Sequence, residues 1–119
     1  MSNRKTAINP ATLPQTPVEV SLFEENGKLI MRTDYGLSLY TYDRDVDGQP
    51  HCLDACSREW PPVITKGSAR RVGDWATVKR PDNTLQWSYR GKPVYMYADD
   101  EPGTTSGNGI GGVWHLLTP

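Results

Sequence analysis

No apolar run in this chain approaches the ~20 residues that a membrane-crossing helix needs. No Lys/Arg cluster is longer than Arg70-Arg71, and 13 basic residues against 14 acidic ones leave a net charge of -1. Nothing is therefore arranged to neutralise a run of phosphates, and nucleic acid is not an expected partner. Cysteine and histidine occur twice each, so a metal centre or a nucleophile–base pair has few residues to draw on. Ser57 and Ser88 have no histidine close in sequence and no nucleophile-elbow pattern around them, which makes catalysis an unexpected activity. Hydrophobic residues are also scarce, at 36% with a mean hydropathy of -0.62. Four Trp and six Tyr carry much area per residue and offset part of that shortage, so the expected core is thin and aromatic. At 119 residues the chain fits one domain with a single core.

What the chain does contain is a duplication. Gly36 to Asp45, GLSLYTYDRD, returns as Gly91 to Asp100, GKPVYMYADD. In each copy Tyr-x-Tyr begins four residues after the Gly, and an Asp follows the second Tyr by three. The copies then continue in parallel through Gly48 and Gly103 to Trp60 and Trp114. Two half-domains are the natural reading, repeat one over about 21–66 and repeat two over about 67–119.

Tyr40-x-Tyr42-x-x-Asp45, the CLDACSREWPP stretch from Cys52 to Pro62 and the closing GIGGVWHLLTP from Gly109 to Pro119 resemble a family of bacterial lipoproteins and secreted repeats. That family is defined by a Tyr-x-(Phe/Trp/Tyr)-x-x-Asp motif, and the resemblance covers about residues 21–119. It makes Tyr40, Tyr42, Asp45, Tyr95, Tyr97 and Asp100 the motif residues. Its members are exported, often lipid-anchored, and have no settled activity. The resemblance thus implies an extracytoplasmic place (periplasmic, cell-surface or secreted), with a lipid anchor on the native precursor and a leader that MSNRKTAINP does not display. The expected partner is an envelope component or a small ligand.

Residues 1–20 carry Pro10, Pro14 and Pro17 among Thr, Ala and Asn, and read as a flexible tether. From there the pattern is β. Val18-x-Val20-x-Leu22 alternates, Asn26-Gly27 is a hairpin turn, and Lys28 to Thr33 forms the return strand. Tyr40 and Tyr42 share one strand face because side chains alternate with period two. Asp45-Val46-Asp47-Gly48 suits a type I turn, and Glu101-Pro102-Gly103-Thr104 a type II turn. Asp54 to Trp60 is the single helical segment, with Asp54 as cap and Pro61-Pro62 as stop. Strands are expected over Gly73–Arg80, Leu85–Tyr89, Val94–Ala98 and Val113–Leu117. The fold class is all-β: a mostly antiparallel sandwich or open barrel from two pseudo-symmetric repeats, with one short helix.

Five patterns bear on chemistry. Cys52-x-x-x-Cys56 is not a redox or haem motif; a local disulfide is its common use in an exported chain, and metal or redox use is the alternative. A disulfide at this spacing requires the helix to begin after Cys52. His51, Cys52, Cys56 and His115 would make a copper or zinc set if the pseudo-symmetry brought His115 over. Asp43-x-Asp45-x-Asp47-Gly48, with Asp54 at the twelfth position, matches much of a calcium loop. A solvated acidic turn is the plainer account, because a strand precedes the loop and Asp54 is shorter than the usual Glu. Gly107-x-Gly109-x-x-Gly112 satisfies the dinucleotide fingerprint in letters only, since no strand feeds it and no helix follows. The Tyr pairs with Trp60, Trp87 and Trp114 suit either a stacking platform for a ligand or, more often at strand spacing, a core.

Overall fold

The computed structural model describes residues 13–67 and 70–119. Most of the expected tether, positions 1–12, lies outside the described residues. Its final part does not behave as a tether: Pro17 and Glu19 are buried. Glu19 accepts Trp87 Nε1 at 2.9 Å and the Lys66 amide at 2.7 Å, so the fold takes in this stretch through a carboxylate that alternation cannot flag.

The chain forms β1 (Val20–Glu25), β2 (Lys28–Thr33), β3 (Tyr40–Tyr42), the helix α1 (Ala55–Glu59), β4 (Trp75–Lys79), β5 (Leu85–Tyr89), β6 (Lys92–Pro93) and β7 (Trp114–Leu116), with a 3-10 turn at Ile110–Gly112 before β7. Every strand pairing is antiparallel. The β1–β2 hairpin turns through Asn26 and Gly27 at φ of 53° and 80°, as a two-residue turn matched to strand twist demands. Two turn details depart from expectation. The first acidic turn is Val46–Gln49, one residue later, closed by Gln49 N to Val46 O at 2.9 Å with Asp47 and Gly48 both at positive φ. Asp45 is thereby released to bond elsewhere. Asp54 precedes α1 without a side-chain cap; its carbonyl accepts the Ser57 amide and hydroxyl instead.

The two halves correspond pair by pair. The hairpin registers run Val20↔Thr33, Leu22↔Met31 and Glu24↔Leu29 in one half, Trp75↔Tyr89, Thr77↔Trp87 and Lys79↔Leu85 in the other. Their inner faces make one core whose buried members are matched but for Tyr89, Val20 with Trp75, Met31 with Trp87, Leu39 with Val94 and Val63 with Leu117. Hairpin thus packs on hairpin as a sandwich, and the strands close no barrel among the described residues.

The halves are nevertheless not two separate units side by side. Tyr40 and Tyr95 exchange backbone hydrogen bonds, Tyr40 N to Tyr95 O at 2.8 Å and Tyr95 N to Tyr40 O at 2.9 Å. On their outer edges Tyr40 pairs with Leu116 and Tyr95 with Pro62. Each Tyr-x-Tyr segment therefore pairs with the Trp segment of the other copy, because the pairing of the two Tyr strands on the axis leaves only their outer edges open.

Candidate functional site

The six motif residues gather around that axis, and the hydroxyls of Tyr40 and Tyr95 and the carboxylates of Asp45 and Asp100 are paired within the chain. The Tyr40 hydroxyl donates to Asp100 Oδ2 at 2.5 Å and accepts the Gly107 amide at 3.2 Å. The Tyr95 hydroxyl donates to Asp45 Oδ2 at 2.9 Å and takes a backbone hydrogen bond from Cys52. The other carboxylate oxygens hold loops: Asp45 Oδ1 accepts the His51 amide at 2.7 Å, and Asp100 Oδ1 accepts the Ser106 amide at 2.8 Å. Each Asp thus ties the loop of its own copy to the Tyr of the other. Burial, followed by the bond to Asp100, raises the Tyr40 hydroxyl above the ordinary phenol range. Burial and then the charge of Asp45 do the same for Tyr95. Burial also raises the Asp45 carboxyl, outweighing the hydrogen bonds from His51 and Tyr95.

The aromatic rings form a four-membered stack in the order Tyr42, Trp114, Trp60, Tyr97. Successive centroids are 4.1, 3.8 and 4.4 Å apart. Tyr40 and Tyr95 stand edge-on against the central pair, at 5.4 Å from Trp60 and 5.3 Å from Trp114. Trp60 and Trp114 are 3% and 5% exposed, so these rings serve as a second core, with faces already taken, and not as an open platform.

Cys52 and Cys56 form a disulfide with Cα atoms 5.1 Å apart, and α1 begins after Cys52 as that bond requires. Bonded to one another, they offer no thiolate to the His51, Cys52, Cys56, His115 set. His115 instead lies outward on β7, its Nε2 2.7 Å from Asp43 Oδ2, while His51 Nδ1 lies 3.0 Å from Gln49 O. Of the four loop aspartates, Asp43 is on His115, Asp45 on Tyr95 and His51, and Asp47 and Asp54 sit at positive-φ turn positions. No three His, Cys, Asp or Glu side chains come together as a metal set among the described residues. Ser57 Oγ donates to Asp54 O and Ser88 Oγ to Ala76 O, neither toward a base. The glycines of Gly107–Gly112 lead into a 3-10 turn and no nucleotide-binding helix; Gly107 lies against Trp60 and Tyr40.

The open feature is elsewhere. A groove of about 880 Å³ runs between β2 and the stretch around β7, walled by Leu29, Ile30, Arg32, Leu116, Leu117 and Thr118. Its surface is mostly apolar, and Arg32 is its buried cation, with Nη2 2.8 Å from Glu25 Oε2. Arg32 Nε has no hydrogen-bond partner among the described residues. No motif marks these residues in the sequence. The one signal there is a comparison of the residues after each Trp, Pro62-Val63-Ile64-Thr65 against Leu116-Leu117-Thr118-Pro119, where a proline replaces the threonine.

Residues 76–118 match a family described as a secreted repeat of unknown function, in agreement with the resemblance its motifs carry. That stretch holds Tyr95, Tyr97, Asp100 and Trp114 of the second copy. No curated protein and no solved structure matches the chain.

Proposed function

We propose that this chain, whose second copy matches a secreted repeat, is a non-catalytic extracytoplasmic module that works by binding an envelope partner or a small ligand, and that the groove beside β2 is its binding face. The observation that carries this reading is the groove itself, an apolar-walled concavity holding a buried Arg32 with an unpartnered Nε. Four motif residues support it by another route: the hydroxyls of Tyr40 and Tyr95 and the carboxylates of Asp100 and Asp45 are spent on joining the halves, which leaves recognition to surfaces away from the axis. The Cys52–Cys56 disulfide suits an oxidising compartment.

Backbone amide NMR of the full chain titrated with small apolar carboxylates such as indole-3-acetate tests this. The expected result is saturable shifts at Leu29, Ile30 and Leu116 to Thr118, weakened in Arg32→Gln. An absence of shifts there at millimolar ligand overturns the assignment of the groove.

A further inference from the structure

The two halves part company at one place. In the second half, the strand after Trp60 continues onto β5: Trp87 N donates to Val63 O at 2.8 Å, Thr65 N to Leu85 O at 2.9 Å, and Ile64 bridges Gln86 between them. The matching hairpin registers and the bond of Leu117 N to Leu39 O at 2.8 Å, counterpart of Val63 N to Val94 O at 3.1 Å, set Leu117, Thr118 and Pro119 opposite β2 in the same manner. Among the described residues no backbone hydrogen bond joins them to β2. Pro119 stands where Thr65 stands and has no N–H to give. The groove occupies the place of the missing pairing.

The free edge of β2 is oriented for a partner. In a hairpin closed by a two-residue turn, Glu25 and Lys28 exchange hydrogen bonds, so the amide and carbonyl of the next pair, Glu24 and Leu29, point away from each other. Leu29 therefore turns its backbone groups toward the groove, as its counterpart Leu85 turns its carbonyl toward Thr65. Unpaired edge groups of this kind are a template for strand addition.

We propose that the groove accepts an extended segment of a partner polypeptide as an added strand on the free edge of β2, as Val63 to Thr65 add to β5. This deepens the reading of the groove as the binding face and rests on it. The chemistry of the partner follows from the walls. Leu29 and Leu117 call for β-branched or apolar side chains, and the other half uses Val63 and Ile64 in the equivalent place. The buried Arg32, whose Nε has no hydrogen-bond partner among the described residues, favours a segment bearing a carboxylate beside it.

The test uses the full chain, isotopically labelled, and an acetylated peptide of its own residues 61–66, Pro-Pro-Val-Ile-Thr-Lys, with a free terminal carboxylate. Saturable shifts at Leu29, Ile30 and Leu117 are expected. A peptide with proline in place of its threonine should bind at least about tenfold more weakly, because the threonine amide is the counterpart of Thr65 N, which donates to Leu85 O. Pro119→Thr should let the chain close its own edge, with the new amide at position 119 protected from exchange and the peptide excluded. Binding that ignores both changes, or shifts mapping elsewhere, overturns strand addition. If indole-3-acetate shifts the groove and the peptide does not, strand addition falls and the binding face stands; if neither does, both fall.

Discussion

Trp60 and Trp114 lie face to face, ring centres 3.8 Å apart and planes 3° from parallel, and they come from opposite copies of the repeat. Each also stacks on the second motif tyrosine of the other copy, Trp114 on Tyr42 and Trp60 on Tyr97. Removing either indole opens the seam at its middle. Trp114→Ala is expected to cost about 3–5 kcal/mol, as for a buried aromatic truncated in a close-packed site. Tyr42→Ala should cost less, because Tyr42 sits at the end of the stack and is half-buried. Urea unfolding followed by circular dichroism ranks the two, and a Trp114→Ala cost below that of Tyr42→Ala would contradict the stacking order.

Tyr40 and Tyr95 set a limit on the alkaline side. Both phenols are raised in the folded chain, so the folded state keeps protons that the unfolded state releases above about pH 10. Their contribution is fully present below that value and is lost as pH rises through the folded one. Stability measured between pH 8 and 12 should therefore fall steeply above about pH 10, and Tyr40→Phe should flatten the fall. Tyr40→Phe also removes the donor to Asp100 and the acceptor for the Gly107 amide, at about 1–3 kcal/mol at neutral pH. Asp45, raised by burial, adds a trend of the same sign in the acid range, where stability declines with rising pH across the window from the unfolded to the folded value.

Gly107 tests the seam from another side. A Cβ there would come within 2.8 Å of Trp60 Cη2 and 3.1 Å of Tyr40 Cζ. Gly107→Ala should destabilise by about 1–3 kcal/mol through overpacking against rings that have no free direction to move. An unchanged urea midpoint would mean the aromatic stack is looser than its distances state.

Cys52–Cys56 closes so short a loop that reduction should cost only about 2 kcal/mol in the chain-entropy model. The hairpin core from Val20 to Leu117 contains neither cysteine. A Cys52→Ser, Cys56→Ser double variant is expected to keep the amide spectrum of that core while shifts concentrate near α1. Global unfolding of the double variant would show that the bond holds far more than its own loop.

Much of the fold is legible in the sequence because it rests on local rules. Asn26-Gly27 announces the first hairpin, Tyr40 and Tyr42 share a face by strand periodicity, and the duplication announces the two-fold. Crossed pairing is not legible: whether Tyr40 seeks Pro62 or Leu116 depends on which edge is free after Tyr40 and Tyr95 meet, and no local pattern records that. Glu19 reads as tail because a lone carboxylate gives no sign of an indole and an amide waiting for it. The acidic residues of the calcium-like loop have the spacing of ligands, whereas Asp45 is turned to a tyrosine and a backbone amide. The groove leaves no mark within either copy alone, because it exists through a difference between them, the proline at 119 against the threonine at 65.

The crossed pairing of the Tyr and Trp segments bears on how such a chain could have arisen. A polypeptide with one copy would hold a tyrosine whose aspartate lies on another molecule and a tryptophan whose facing ring lies there too. It would be whole only as a pair of identical chains meeting about a two-fold axis. Joining the two genes end to end would keep every contact of that pair and free each copy to change alone, a cysteine staple appearing in one and a bare Gly107 in the other.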